Sequence, residues 1–289
     1  AVNDVCPHRQ ASLSKGIINK DGYIKCPYHG IEFNGCGNCK IIPLSESDTS
    51  IFCVKNYFIQ EKYGLLWISR QRDEKIPSIE CLENDPPKFN WFVTKQDVPA
   101  NLMIENSIDI LHADHVHHGM LPFLDRNKGA LLETYSREFR KLWFNESGFS
   151  CVMNINEKTK IYSEMRCEES FFYTLVSFPN ISVILILVPF EPSKTLYISS
   201  LLLNNVEPDN NNIFNMLIRL FDPLIENFGR KIYKQDHEIF TSQMNNIEKN
   251  RKINHCIEDI DLRIILYNKW TNKYIHGEVN ECDDDECET

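Results

Sequence analysis

At 289 residues, with 42% hydrophobic and 25% charged residues and with 17 Phe and 11 Tyr, the chain has the composition of a packed globular protein long enough for two cores, which excludes a disordered one. The excess of 41 Asp and Glu over 31 Lys and Arg gives a formal charge of −10 and argues against nucleic acid as a partner, because phosphate binding is driven by clustered Lys and Arg; a basic partner or a neutral small molecule fits better. The 11 cysteines form no regular framework, and the longest apolar stretch, Ile181 to Phe190, is far short of the roughly 20 residues that span a bilayer, so a soluble cytoplasmic protein with no transmembrane segment is expected.

The opening residues, rich in Gly, Cys and short apolar runs such as Tyr57-Phe58-Ile59 and Gly64-Leu65-Leu66-Trp67-Ile68, predict a small β domain over 1–75. Within it stand Cys6-Pro7-His8-Arg9 and Cys26-Pro27-Tyr28-His29-Gly30, a C-x-H…C-x₂-H pattern with 17 residues between His8 and Cys26. Each loop supplies one thiolate and one imidazole. Two such loops pressed together satisfy either a tetrahedral zinc ion or a two-iron cluster whose sulfur ligands sit on one iron and whose imidazoles sit on the other. Cys36 and Cys39 have the spacing of half a zinc site, but no second half follows, and a cysteine-containing turn is the simpler reading.

Pro77, Pro86 and Pro87 among charges predict a linker, taken as 76–98. Asn101 to His118 then reads as a helix with a disturbed end that carries Asp109, His112, His115, His117 and His118. Asp109 and His112 share a helical face, so the carboxylate is expected to orient the imidazole. On an ideal helix His112 and His115 are also about one turn apart, whereas His112 and His117 differ by about 140°, so helical geometry alone selects His115 as the partner of His112.

Leu131 to Val206 reads as a run of antiparallel strands, clearest in Glu164 to Phe178, Ser182 to Phe190 and Thr195 to Val206. Asn211 to about Glu248 predicts a long helix that Pro223 kinks or divides. Residues 271–289, which include Glu281-Cys282-Asp283-Asp284-Asp285-Glu286-Cys287-Glu288, predict an acidic solvated tail in which Cys282 and Cys287 have no assigned role.

Asp4-Val5-Cys6-Pro7-His8-Arg9, Leu13-Ser14-Lys15-Gly16 and Cys26-Pro27-Tyr28-His29-Gly30 followed by Phe33 resemble the Rieske domains of ring-hydroxylating and demethylating oxygenases. Glu105-x₃-Asp109-x₂-His112-x₄-His117 is similar to the ferrous-iron motif of the same enzymes, the Rieske non-haem iron oxygenases. The stretch from Cys6 to Pro43 and Tyr63-Gly64-Leu65-Leu66-Trp67 look most like the branch that holds vanillate O-demethylase and pheophorbide a oxygenase.

The resemblance implies the catalytic (alpha) subunit of such an enzyme, an α+β chain with an N-terminal all-β Rieske domain at 1–75 and a helix-grip (START-like) catalytic domain with an antiparallel sheet at 99–270. It implies a [2Fe–2S] cluster on Cys6, His8, Cys26 and His29 in preference to zinc. It also implies Fe(II) on His112, His117 and an acid of the late helix. His117 is preferred to His115 because the family's helix is distorted so that both histidines reach one metal. In Tyr233-Lys234-Gln235-Asp236-His237-Glu238-Ile239 the acid is taken as Asp236, with Glu238 as the substitute. Two His and one carboxylate form the facial triad that leaves positions open for O₂.

Asp109 is implied as the catalytic acid through which, in the family's ring-shaped trimers, electrons pass from the Rieske His of a neighbouring subunit, so a homotrimer is expected. A separate reductase or ferredoxin is expected as electron donor, because no G-x-G-x-x-G follows a strand and no plant-type ferredoxin pattern is present. The family has several strands before the first cluster loop where five residues stand here, so the N-terminus is expected to be truncated, which leaves organelle targeting open. The implied activity is that of an oxidoreductase, a mono- or dioxygenase that hydroxylates or oxidatively demethylates an aromatic or polycyclic substrate. The rival classes are a Rieske electron carrier, with the two irons of its cluster alone, and an inactive paralogue.

Overall fold

A computed structural model describes residues 1–84, 90–109, 111–117, 139–156, 159–168, 171–177, 181–203, 212–249 and 261–277. The chain divides into two units, Ala1–Glu83 and Asn84–Thr289. In the first, β1 (Ile17–Ile18), β2 (Ile24–Lys25), β3 (Glu32–Phe33) and β4 (Cys39–Ile41) form an antiparallel sheet in that order, and β5 (Phe58–Lys62) pairs with β6 (Leu65–Ser69). Tyr63 and Gly64 between β5 and β6 both take positive φ, 61° and 72°, the twist a two-residue hairpin turn requires. Cys6, Leu13, Cys26, Ile31, Phe33, Cys39 and Val54 make up the core of this unit. Two of its seven members are the cysteines of the two Cys-His loops, so the core and those loops are one structure.

The stretch expected as a linker, 76–98, carries a short helix α1 (Glu80–Asn84) and a strand β7 (Phe92–Gln96). Ile79 and Leu82 are buried, and Glu83 accepts hydrogen bonds from Lys62 Nζ (2.6 Å), Tyr63 Oη (2.6 Å) and Ser78 Oγ (3.0 Å). Proline and charge masked this order because the groups that stabilise it are remote in sequence: β7 pairs with β13 (Lys194–Leu203), about which the local composition says nothing.

The second unit is built on a seven-stranded antiparallel sheet in the order β7-β13-β12-β11-β10-β9-β8, with β8 (Phe139–Asn145), β9 (Gly148–Asn156), β10 (Thr159–Cys167), β11 (Phe172–Ser177) and β12 (Ile181–Glu191). Glu164 to Phe178, expected as one strand, is two. One ends at Cys167 and the next begins at Phe172, and the Glu168 N–H donates to the Phe171 carbonyl at 2.9 Å; the polar run Glu168-Glu169-Ser170 interrupts the apolar alternation in the sequence.

Against one face of the sheet lie α2 (Ala100–Ile108), α4 (Asn212–Lys249) and α5 (Leu262–Trp270), while α3 (His112–Val116) follows α2 after a break. Leu102, Met103, Ile104 and Ile108 of α2 pack with Phe149, Cys151, Met165 and Leu187 of the sheet, Phe240 of α4, and Leu266, Tyr267 and Trp270 of α5. Trp270 is 1% exposed and donates its indole N–H to the Asn145 carbonyl at 2.9 Å, a burial worth roughly 4–6 kcal/mol relative to exposure.

Pro223 does not divide the late helix. It sits inside α4 on an exposed face, where water can satisfy the carbonyl its missing N–H leaves free. Residues Thr271–Ile275, expected to begin the tail, continue α5 as one π-helical turn, and the Cys282 and Cys287 pair lies outside the described residues. The α+β class, with a β-rich first unit and a helix gripped against an antiparallel sheet in the second, is the architecture expected. No described helix is long and apolar enough to cross a membrane.

Candidate metal centres

The two Cys-His loops share one hydrogen-bond plan. Cys6 N–H donates to the Ala11 carbonyl (2.9 Å) and Gln10 N–H returns to the Cys6 carbonyl (2.9 Å); Cys26 N–H donates to the Ile31 carbonyl (2.8 Å) and Gly30 N–H returns to the Cys26 carbonyl (3.0 Å). Closing so tight a loop needs positive φ at the fourth residue after each cysteine, met by Gln10 at 60° and by Gly30 at 72°. Glycine does this without Cβ strain, and glutamine at some cost.

Both thiols point into the core, with Cys6 1% and Cys26 2% exposed, whereas His8 is half-buried and His29 exposed. Burial, and then the Cys26 thiol beside it, push the Cys6 thiol up, against the backbone amides of His8 and Arg9 that pull it down. The two imidazole rings lie 4.6 Å apart at 59°. His8 Nδ1 is buried without a hydrogen-bond partner. An orphaned ring nitrogen beside two crowded thiols is a donor set that a metal group completes.

A single zinc ion at 2.0–2.3 Å from each ligand would draw all four donors to within about 4 Å of one another. Among the described residues, the group of three or more His, Cys, Asp or Glu donors that converges within 4.8 Å is His112, His117 and Asp236, and the Cys-His loops are not so drawn together. Paired sulfurs inside and paired imidazoles outside fit the larger two-iron cluster.

The second site begins where α2 stops. Asp109 leaves the helix in an extended conformation (φ −81°, ψ 95°), its own N–H still capping Glu105. Its carboxylate Oδ1 accepts the Leu111 N–H at 3.0 Å, and its main-chain carbonyl faces His112 Nδ1. The expected orienting of His112 by the Asp109 carboxylate is therefore corrected: the carbonyl of the same residue does it, because the helix on which the two side chains would share a face is interrupted between them. After the break α3 runs with a new phase and ends at His117, which is 4% exposed.

Asp236, on α4 and 9% exposed, places Oδ1 3.2 Å from His117 Nε2 and 3.6 Å from His112 Nε2. His117 Nδ1 meets Gln235 Oε1 at 3.0 Å, and Asn106 Nδ2 donates to Asp236 Oδ1 at 3.4 Å. With an amide oxygen and a carbonyl as their respective partners, both Nδ1 atoms are donors, and both Nε2 atoms face the carboxylate. For His117, burial opposes the charged form, but the Asp236 carboxylate and Gln235 outweigh it and leave the imidazole above its ordinary range. Two imidazoles and one carboxylate converging in this way are the donors of a facial iron site with open positions.

His115 and Glu238, the alternatives, are exposed and outside this group, and His118 lies outside the described residues. Sequence reasoning did not assign Gln235 or Asn106. Asn106 carried a signal, as a polar residue in a helix where Leu102, Met103, Ile104 and Ile108 are all buried.

Residues 1–58 match the family described as the Rieske [2Fe-2S] domain. The chain is 32% identical over 122 residues to the vanillate O-demethylase oxygenase subunit of Pseudomonas sp. (strain HR199 / DSM 7063), a match covering 40% of this chain and 34% of that protein. It is 31% identical over 144 residues to pheophorbide a oxygenase, chloroplastic, of Arabidopsis thaliana, covering 44% of this chain and 27% of the relative. Most of each relative's length thus lies outside the match. The crystal structure of dicamba monooxygenase bound to dicamba superposes over 96% of this chain and 86% of its own with a TM-score of 0.66 at 18% identity, a likeness of fold. Residues 1–58 thus carry a Rieske [2Fe–2S] domain, the chain is similar over part of its length to both enzymes named from the motifs, and its fold is like that of dicamba monooxygenase.

Proposed function

We propose that the chain is the catalytic subunit of an oxygenase that uses O₂ and externally supplied electrons to hydroxylate or oxidatively demethylate an aromatic or polycyclic substrate. The observation that carries this reading is the convergence of His112, His117 and Asp236 in a chain whose first 58 residues match a Rieske domain. An electron carrier has no use for a second, two-histidine-one-carboxylate site. When bound, the cluster supplies single electrons and the ferrous ion supplies O₂ activation.

The residues of the chain have distinct tasks. Cys6 and Cys26 hold the buried side of the cluster, and His8 and His29 hold the side nearer solvent, where electrons come and go. Gln235 and the Asp109 carbonyl fix the two Nδ1 protons so that each Nε2 is free to ligate. Asp109 keeps its carboxylate at the break, where in a homotrimer it would meet the Rieske imidazole of a neighbouring subunit. A separate reductase or ferredoxin would supply the electrons. Residues 99–270 form the catalytic domain.

Iron analysis of reconstituted protein tests the reading. Three irons per chain are expected, two in the cluster and one at the triad, together with one round of oxygen-dependent product formation after chemical reduction. Two irons per chain, with the third absent at saturating ferrous ion, would make the protein an electron carrier.

A further inference from the structure

Gln96, the last residue of the edge strand β7, is 6% exposed, and burying a long polar amide is costly unless its atoms are hydrogen-bonded. Both ends of the amide are bonded. Its Nε2 donates to Thr94 Oγ1 at 2.8 Å, and its Oε1 accepts the hydroxyl of Tyr233 on α4. The Tyr233 proton is thereby committed to Gln96, so the same hydroxyl accepts from His237 Nδ1, 2.9 Å away. Burial pushes the Tyr233 phenol up, which keeps it a donor.

The ring of Tyr233 is held as well as its hydroxyl. Residues two apart on a strand share a face, so Phe92, Thr94 and Gln96 stand on one face of β7, with Tyr197 of β13 opposite Thr94. The Tyr233 ring lies 6.3 Å from that of Phe92 and 5.5 Å from that of Tyr197. A ring packed against two strands, with its hydroxyl bonded to the end of one of them, ties α4 to the edge of the sheet.

Asp236 follows Tyr233 by three residues and shares its side of the helix, as does the buried Phe240 one turn further on. The hydrogen bonds from Gln235 to His117 and from Asn106 to Asp236 belong to the metal site itself. The bond from Tyr233 to Gln96 refers the same stretch of helix to the sheet, a frame that stands apart from the site. Magnitudes show why that frame matters. A carboxylate oxygen stands roughly 5 Å from a helix axis, so turning the helix by about 20° moves it by about 2 Å. Metal–ligand distances tolerate only about 0.2 Å.

We propose that Gln96 and Tyr233 are positioning residues for the metal site: their hydrogen bond sets the phase of α4 that brings Asp236 to His112 and His117. That a metal is held there rests on the oxygenase reading. Protein with its cluster loaded and oxidised is titrated with ferrous ion and with cobalt(II), each in competition with a chelator, and the EPR spectrum of bound cobalt reports the ligand geometry. Tyr233→Phe and Gln96→Met are each expected to weaken both ions about 10–100-fold and to shift the cobalt spectrum, with cluster content as in the parent. The double variant is no weaker than the weaker-binding single variant, because both changes remove one bond. Tyr162→Phe takes a hydroxyl from another tyrosine of the same unit, where it donates to Glu164 at 2.6 Å, and leaves affinity and spectrum unchanged. Should Tyr233→Phe fail to fold, Gln96→Met decides by the same two readouts. Parent affinity and spectrum in the Tyr233 and Gln96 variants, an equal loss in Tyr162→Phe, or losses that add in the double variant overturn the proposal and leave the oxygenase reading in place. A parent chain that binds neither ion at the triad overturns both.

Discussion

In the first unit the candidate ligands come from two loops of one design, each closed by hydrogen bonds within six residues, between Cys6 and Ala11 and between Cys26 and Ile31. In the second they come from an interrupted helix and from a helix far along the chain, where Asp236 contacts Asn106 across 130 residues. The first centre is locally specified and needs the unit around it mainly to bury two sulfurs. The second exists when a whole sheet has brought α2 and α4 to the same place. A local site can be read from spacing, and a long-range one cannot.

Breaking one centre should therefore leave the other standing. Cys26→Ala is expected to remove the visible absorption of the cluster and two irons per chain while the third iron stays bound; parallel loss of all three would show that the centres are not independent. Asp109→Asn sharpens the contrast from the other side. The amide oxygen of Asn can still accept the Leu111 N–H and the main-chain carbonyl still faces His112, so both metals are expected to remain while turnover falls almost to nothing. Normal turnover in that variant removes Asp109 from the electron route.

A smaller effect is expected at Gln235. Gln235→Leu unfixes the His117 ring and should lower iron affinity about 10–100-fold, whereas His115→Ala, on the exposed side of α3, leaves it unchanged. Competition titrations with a ferrous chelator measure both, and the opposite ranking would mean that the helix break does not choose the ligands. The smallest effect belongs to Glu83. Its hydrogen bonds to Lys62, Tyr63 and Ser78 hold the carboxyl at about 2 against an ordinary 4.5. A lowered carboxyl contributes stability that is whole above about 4.5 and is lost as the pH falls towards about 2. Glu83→Gln should flatten the acid limb of unfolding of the first unit within that window, slightly, because the group is exposed.

Legibility in the sequence follows the same division. Cys6, His8, Cys26 and His29 were readable because a C-x-H…C-x₂-H pattern reports loops directly, and the choice of iron over zinc came from neighbours such as Leu13-Ser14-Lys15-Gly16. The order β10 to β13 was mostly visible in alternating apolar residues. The division between β10 and β11 was missed because strong apolar segments on both sides hid three polar residues. His117 was not available from helical geometry, which selects His115; the phase shift at Asp109 depends on a side chain capping Leu111, a local competition that periodicity cannot register. Strand β7 looked like linker because its order comes from β13.

The matched loops bear on how the cluster is installed. Because each loop closes on its own cysteine, neither borrows its shape from the other, and the span between them is occupied by the β1–β2 hairpin. The unloaded domain is therefore expected to keep both loops closed, as two jaws on a short hinge, before iron and sulfide bind. Amide exchange at Cys6, Gln10, Cys26 and Gly30 should be slow before loading, with the gain on loading confined to the contact between the jaws.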